Sequence, residues 1–251
     1  MQKLIFFLTL FAVSQTQGQI TTTAVKKPQT DMVNPKPAKY DSLRNYVGNN
    51  VYQYIGQEFY LRPKAEMLRQ YGYEDFYIST DDEHKLNGEN IYKCCESFNS
   101  IYDELAGKYF EVLEVIKHPK ADEDNLLYGS KYFIKLREKQ SGDIFFYRYD
   151  SKSIEEVFPF TIVGYFTKAK KRYIGKKYLT KGKNWIGEGP MTDIETGKVV
   201  SIAQGKVWKC IDVTIEDKYF EVSLVLQSAT GEKVAIGINS LKSDHFASEK
   251  F

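Results

Sequence analysis

Tyr173-Ile174-Gly175-Lys176-Lys177-Tyr178-Leu179 echoes an earlier stretch, Tyr54-Ile55-Gly56-Gln57-Glu58-Phe59-Tyr60-Leu61. The likeness extends downstream of each copy. Gly107-Lys108-Tyr109-Phe110-Glu111-Val112-Leu113-Glu114-Val115 is answered by Gly205-Lys206-Val207-Trp208-Lys209-Cys210-Ile211-Asp212-Val213. Lys131-Tyr132-Phe133 is answered by Lys218-Tyr219-Phe220, and Ser141-Gly142-Asp143 by Thr230-Gly231-Glu232. Landmarks recurring in one order read as duplication of a small β unit, which sets the expected architecture before any chemical motif is weighed.

Composition agrees with that reading. The 251 residues include 19 Tyr and 16 Phe, and these side chains favour the pleated, half-buried surface of strands. A hydrophobic share of 42 % is enough for packed cores and argues against global disorder. The net charge of +2 conceals an asymmetry. Residues 40–157 carry 15 Lys and Arg against 22 Asp and Glu, whereas residues 158–251 carry 15 against 10. The halves can attract each other, or one of them can serve a partner of opposite charge.

Taken in order, the chain divides into five parts. Residues 1–18 have a short basic start, an apolar run over residues 4–13 and a polar, small-residue end. That is the pattern of a secretory signal peptide, so a secreted or periplasmic mature protein with no integral membrane segment is expected. Residues 19–39 are rich in Pro, Thr and Lys and read as a flexible leader. Residues 40–157 form the first β unit, with a partly helical insertion near Pro63–Gln70, and residues 158–241 form the second. Residues 242–251 read as a frayed tail. Within the first unit, Tyr52–Ile55 reads as strand, and 132–137 with 144–149 as a hairpin turning at Ser141-Gly142-Asp143.

Five short strands per unit, a glycine after the first, a Gly-Lys-led central strand and a glycine-turn hairpin resemble SH3-like small barrels. Tandem copies behind a signal peptide are similar to exported bacterial SH3-type modules and to secreted Bacteroidetes-type proteins of unknown role. The resemblance implies a mainly β fold of two tandem antiparallel barrels and ligands held on an aromatic-lined groove between loops.

The chemistry-bearing residues favour recognition over catalysis. Tyr71, Tyr73 and Tyr77 fall in the first unit's insertion, and Trp185 lies beside glycines in the second. Such rings offer an apolar face and a polar tip to a glycan or a peptide. Lys170, Lys171, Arg172, Lys176 and Lys177 surround Tyr173 and Tyr178 in a basic patch. It reads either as a solvated strand edge guarded by lysines or as a surface for an acidic glycan, a lipid headgroup or nucleic acid, with nucleic acid disfavoured. Cys94, Cys95 and Cys210 are an odd number of thiols in an exported chain. A bond from Cys94 or Cys95 to Cys210 would staple the two units, and buried structural thiols are the plainer reading.

No glycine-rich phosphate loop points to a nucleotide, and no metal set or other cofactor is read. His84, His118 and His245 stand in no catalytic signature, and His118 reads as a solvated loop side chain. Glu111 and Glu114 are three apart on a predicted strand, hence on opposite faces and not a glycosidase pair. The expected role is therefore an exported binding or interaction module of the cell envelope, taking a glycan, a peptide or another envelope protein. An envelope hydrolase and a structural subunit of an envelope assembly are the alternatives.

Overall fold

Two larger antiparallel sheets and three α-helices organise the described part of the computed structural model, which is mainly β. It describes residues 39–40, 43–80, 88–96, 98–119, 121, 131–155, 157–181, 191–201, 203–216, 221–238 and 246–248. These residues all fall within one unit, Pro35–Phe251. The signal-peptide and leader readings over residues 1–38, Trp185, His84 and His245 lie outside the described residues.

A 3-10 helix, Gly48–Tyr54, leads into β1 (Glu58–Leu61), α1 (Glu66–Arg69) and β2 (Phe76–Tyr77). Then come β3 (Cys94–Glu96), β4 (Asn99–Ser100), α2 (Tyr102–Leu105), β5 (Tyr109–Lys117), β6 (Tyr132–Glu138), β7 (Ile144–Tyr149) and β8 (Phe160–Ile162). The chain continues through α3 (Val163–Tyr173), β9 (Lys177–Thr180), β10 (Val207–Glu216), β11 (Glu221–Ser228), β12 (Lys233–Gly237) and β13 (Phe246–Ser248). The larger sheets run β2-β7-β6-β5-β1-β8 and β12-β11-β10-β9-β13, with β3 and β4 a separate pair.

Apart from β2, the two larger sheets match strand for strand. Gly56 N–H donates to Val112 O at 2.9 Å, and Gly175 N–H donates to Cys210 O at 2.8 Å. Leu61 N–H to Lys108 O has its counterpart in Thr180 N–H to Lys206 O, both at 3.0 Å. Both glycines hold positive φ, +74° and +87°, which glycine adopts without the Cβ penalty. A bulge interrupts β5 between Val112 and Glu114, and another interrupts β10 between Cys210 and Asp212. The third landmark pairs differently from the sequence reading. Val112 opposes Leu136 and Cys210 opposes Leu226, so Tyr132 and Phe133 correspond to Val222 and Ser223, not to residues 219 and 220.

Several local expectations change for physical reasons. Residues 52–54 belong to the 3-10 helix, because Tyr54 turns fully inward and its hydroxyl donates to Asn45 O at 2.9 Å. The boundary read at 157/158 assigns β8 to the second unit, whereas β8 pairs with β1 and lies in the first sheet. Phe246–Ser248, read as frayed, pairs with β9 in the position β8 takes beside β1. Helix α3 succeeds β8 directly, and its Gly164 lies against Tyr40, whose Cβ would be 2.5 Å from an added methyl.

Alternation along β7 buries Phe145, Tyr147 and Tyr149 and turns Phe146 and Arg148 to the other face. The buried rings meet Phe76, Phe110, Phe158 and Phe160 at centroid separations of 5.1–6.2 Å, and Phe160 in turn meets Phe59 at 5.0 Å. Each such ring contributes about 1.5–3 kcal/mol by leaving water, so the aromatic richness is spent in the first sheet's interior. Trp208, Cys210, Leu224, Leu226, Val234 and Ile236 line the second sheet and belong to the same contiguous cluster. Among the described residues no helix is long and apolar enough to cross a membrane.

Candidate functional site

The outer edge of the first sheet carries a cavity. Residues 74–77 approach β7 antiparallel, with Phe76 opposite Tyr147 and Tyr77 opposite Phe146. Arg148 N–H extends the pairing to Asp75 O at 2.8 Å. Asp75 sits at φ +71°, the left-handed region that aspartate tolerates better than bulkier residues, and this turn ends β2's pairing. Beyond it opens a pocket of about 320 Å³, lined by Tyr46, Tyr77, Tyr147, Tyr149 and Phe158 with Glu74, Asp75, Arg148, Asp150, Asn99, Ser153 and Val157.

The walls are held by identifiable bonds. Arg148 Nε and Nη2 donate to Asp75 Oδ1 at 3.0 and 2.5 Å, and the guanidinium lies 5.5 Å from the Tyr77 ring centre. This is a charge-assisted clamp backed by a cation–π contact. Tyr46 O–H donates to Asp150 O at 2.5 Å, and Tyr149 O–H donates to Gly48 O at 3.0 Å. Lys152 N–H donates to Asp150 Oδ1 at 2.8 Å, fixing that carboxylate at the rim.

Burial raises the pKa of Tyr46, Tyr147 and Tyr149. The nearby Asp75 carboxylate adds to the rise at Tyr147, and the neighbouring Tyr54 and Tyr46 add to it at Tyr149. All three phenols therefore stay neutral across the physiological range. The pocket thus presents aromatic walls, neutral phenols and carboxylates, a combination suited to selective non-covalent binding.

Of the residues singled out from the sequence, Tyr77 alone lines this pocket. Tyr71 is exposed, and its carbonyl accepts from Asn99 Nδ2 at 2.9 Å. Tyr73 is a core residue, not a surface ring. It is 1 % exposed, its hydroxyl donates to Arg62 O at 2.7 Å, and its ring stacks on Tyr102 at 5.6 Å. Arg148, Asp75, Asp150, Tyr46, Tyr149 and Phe158 were not singled out. They come from separate stretches that only the β2–β7 pairing and the turn after β7 bring together, so no local spacing marks them.

The basic patch lies at the end of a helix rather than along a strand edge. Lys170, Lys171 and Arg172 form the last turn of α3, where cations complement the helix dipole. Lys170 pairs with Asp212 at 3.2 Å, and Arg172 and Lys176 flank the Tyr173 ring at 5.6 and 5.9 Å. Lys177 begins β9 opposite Lys209.

The inter-unit staple is absent. Cys94 and Cys95 are bonded to each other, while Cys210 is a free, buried thiol on β10 whose Sγ–H donates to Asp212 O at 3.3 Å. Burial pushes that thiol up to about 11.

His118 is 4 % exposed and stacks on Phe133 at 5.0 Å, because the loop folds back where His118 N–H donates to Lys131 O at 2.8 Å. The bulge in β5 returns Glu111 and Glu114 to one outer face, where they meet Arg137 at 3.7 Å and Lys135 at 3.8 Å. Among the described residues no group of three or more His, Cys, Asp or Glu is placed to hold a metal ion. Comparison with protein-family models, with curated proteins and with solved structures returned no match.

Proposed function

We propose that the chain is an exported binding module of the cell envelope, built from two tandem SH3-like units, that takes a peptide or a glycan into the pocket at the β2–β7 edge. The observation that carries this reading is the pocket itself, a 320 Å³ cavity walled by buried rings and edged by Glu74, Asp75, Asp150, Asn99 and Ser153. Such a mixture of apolar walls and a few convergent polar groups is the usual make-up of a small-ligand site. The arrangements β8-β1-β5-β6-β7 and β13-β9-β10-β11-β12 support the tandem reading, because each is a four-strand meander closed by a fifth strand on its first. The basic, apolar and small-residue order of residues 1–18 supports export.

Specialisation of the first unit follows from β2. It covers the β7 edge and supplies Tyr77, and the second sheet has no such strand beside β12 among the described residues. The test uses Val157→Trp at the rim, a residue 65 % exposed and therefore replaceable without touching the core. Immobilised envelope glycans and envelope peptides should retain the wild-type chain and bind the variant at least about tenfold more weakly, a loss of about 1.4 kcal/mol. Equal retention with an unchanged melting temperature would remove the pocket from the function.

A further inference from the structure

Resting on the reading of this pocket as a ligand site, we infer that its occupant is the cationic side chain of an extended peptide, a lysine or arginine, rather than a neutral sugar. Three carboxylates, Glu74, Asp75 and Asp150, line the cavity against the single guanidinium of Arg148. That guanidinium is already engaged by Asp75, with Nη2 to Oδ1 at 2.5 Å. The ionic balance of the lining is therefore negative, and Glu74 and Asp150 carry the excess. An anionic ligand meets repulsion here, and a cation meets a complementary field.

Arg148 also shows how these walls hold a cation, between a carboxylate and the face of Tyr77 at 5.5 Å. A second, independent feature lies in the same wall. Tyr147 is 6 % exposed and lines the pocket, yet its phenolic oxygen has no hydrogen-bond partner among the described residues. That oxygen is not among the buried polar atoms without a partner, so it is open to solvent, and an ammonium or guanidinium entering the cavity gives it a donor to accept from.

Shape separates the two ligand classes. Sugar recognition by stacking needs an exposed flat ring, whereas Tyr77, Tyr147, Tyr149 and Phe158 are each no more than 9 % exposed, and the half-buried Tyr46 ring packs against Tyr149 and Phe158 at 5.5 and 5.7 Å. Rings presented as walls suit a methylene stem that carries its charge past them. The volume, at the low end of the range for ligand sites, matches one long side chain better than an oligosaccharide.

The experiment titrates the chain with three acetylated, amidated pentapeptides, Gly-Gly-X-Gly-Gly with X lysine, norleucine or glutamate, and with a neutral N-acetylglucosamine tetramer. Resonances of the Arg148 Nε–H and of the Tyr77 ring are followed by NMR. The lysine peptide should bind at least about tenfold more tightly than the norleucine peptide and should weaken as salt is raised. In Glu74→Gln/Asp150→Asn that preference should fall to less than about threefold, with the spectrum otherwise native. The inference is overturned if norleucine or glutamate matches lysine, or if the double variant keeps the preference. A glycan that shifts these resonances while charge has no effect overturns it too but leaves the binding-module reading standing. Failure of every probe to shift them overturns both.

Discussion

Glu138 is a buried charge with several donors around it. It is 1 % exposed, with Lys108 Nζ at 2.8 Å, Lys93 Nζ at 3.2 Å and the Tyr92 hydroxyl at 3.1 Å. Burial alone would raise its pKa, but the two ammonium groups outweigh burial and hold it below the ordinary 4.5. Tyr92, raised by burial and then by Asp143 and Glu138, remains a donor over the whole working range. Glu138→Ala strands donors and partly buried ammoniums and should cost about 2–3 kcal/mol in urea unfolding, where a loss under about 0.5 would show the network to be dispensable. Because its folded pKa lies below its unfolded one, the carboxylate's contribution is complete above about pH 4.5 and is lost as pH falls through the folded value. Wild-type stability should therefore decline more steeply in acid than that of Glu138→Gln. Cys210 has the opposite sign. Its neutral thiol contributes fully below about 9 and loses that contribution as pH rises through about 11. A thiol assay on the denatured, unreduced chain should find one reactive group per molecule, and three after reduction. Three before reduction would disprove the Cys94–Cys95 bond.

At the level of elements, the long strands β5, β6, β7 and β10 were legible in the sequence, but which face each side chain takes was legible only where the alternation runs unbroken. The hairpin of β6 and β7 stands where Tyr132–Arg137, the glycine turn and Ile144–Tyr149 place it, because each side chain's face follows from its neighbour's. The bulge in β5 reverses that inference at Glu114, and nothing local in Val112-Leu113-Glu114 announces it. Helix α3 was missed because its signals are weak. It has no side-chain cap at Ile162, and its second residue is Gly164, a poor helix former kept close to Tyr40. Gly164→Ala tests that reason. Helix propensity alone predicts a gain of up to about 1 kcal/mol, whereas the 2.5 Å approach to Tyr40 Cβ predicts a net loss of about 1–3 kcal/mol on chemical denaturation. The pocket was least legible. Tyr77 stood out as an aromatic in an insertion, but Arg148 and Asp75 gain meaning only once Arg148 N–H reaches Asp75 O.

For the molecule as a whole, the repeat gives two sheets with the same order of hydrogen bonds, and their buried side chains join in one cluster. Tyr165 and Ala169 of α3 belong to that cluster with residues of both sheets, so strain in either should be felt by the other. Unfolding in urea should then be one transition, followed at once by Trp208 fluorescence in a Trp185→Phe background and by the tyrosine near-ultraviolet signal, most of whose buried rings lie within residues 40–149. Two separated midpoints would show that the sheets fold independently. Charge is divided between the halves as well. The acidic first half holds the pocket and the basic second half holds the α3 end, so one molecule offers two surfaces of opposite sign.

With Cys94 and Cys95 joined and Cys210 enclosed, the folded chain leaves a maleimide nothing to attack. A cysteine introduced at the exposed position 171 would therefore take a dye at that place alone. Together with a second label near the pocket, that offers a fluorescence ruler between the two sheets without first stripping out native thiols.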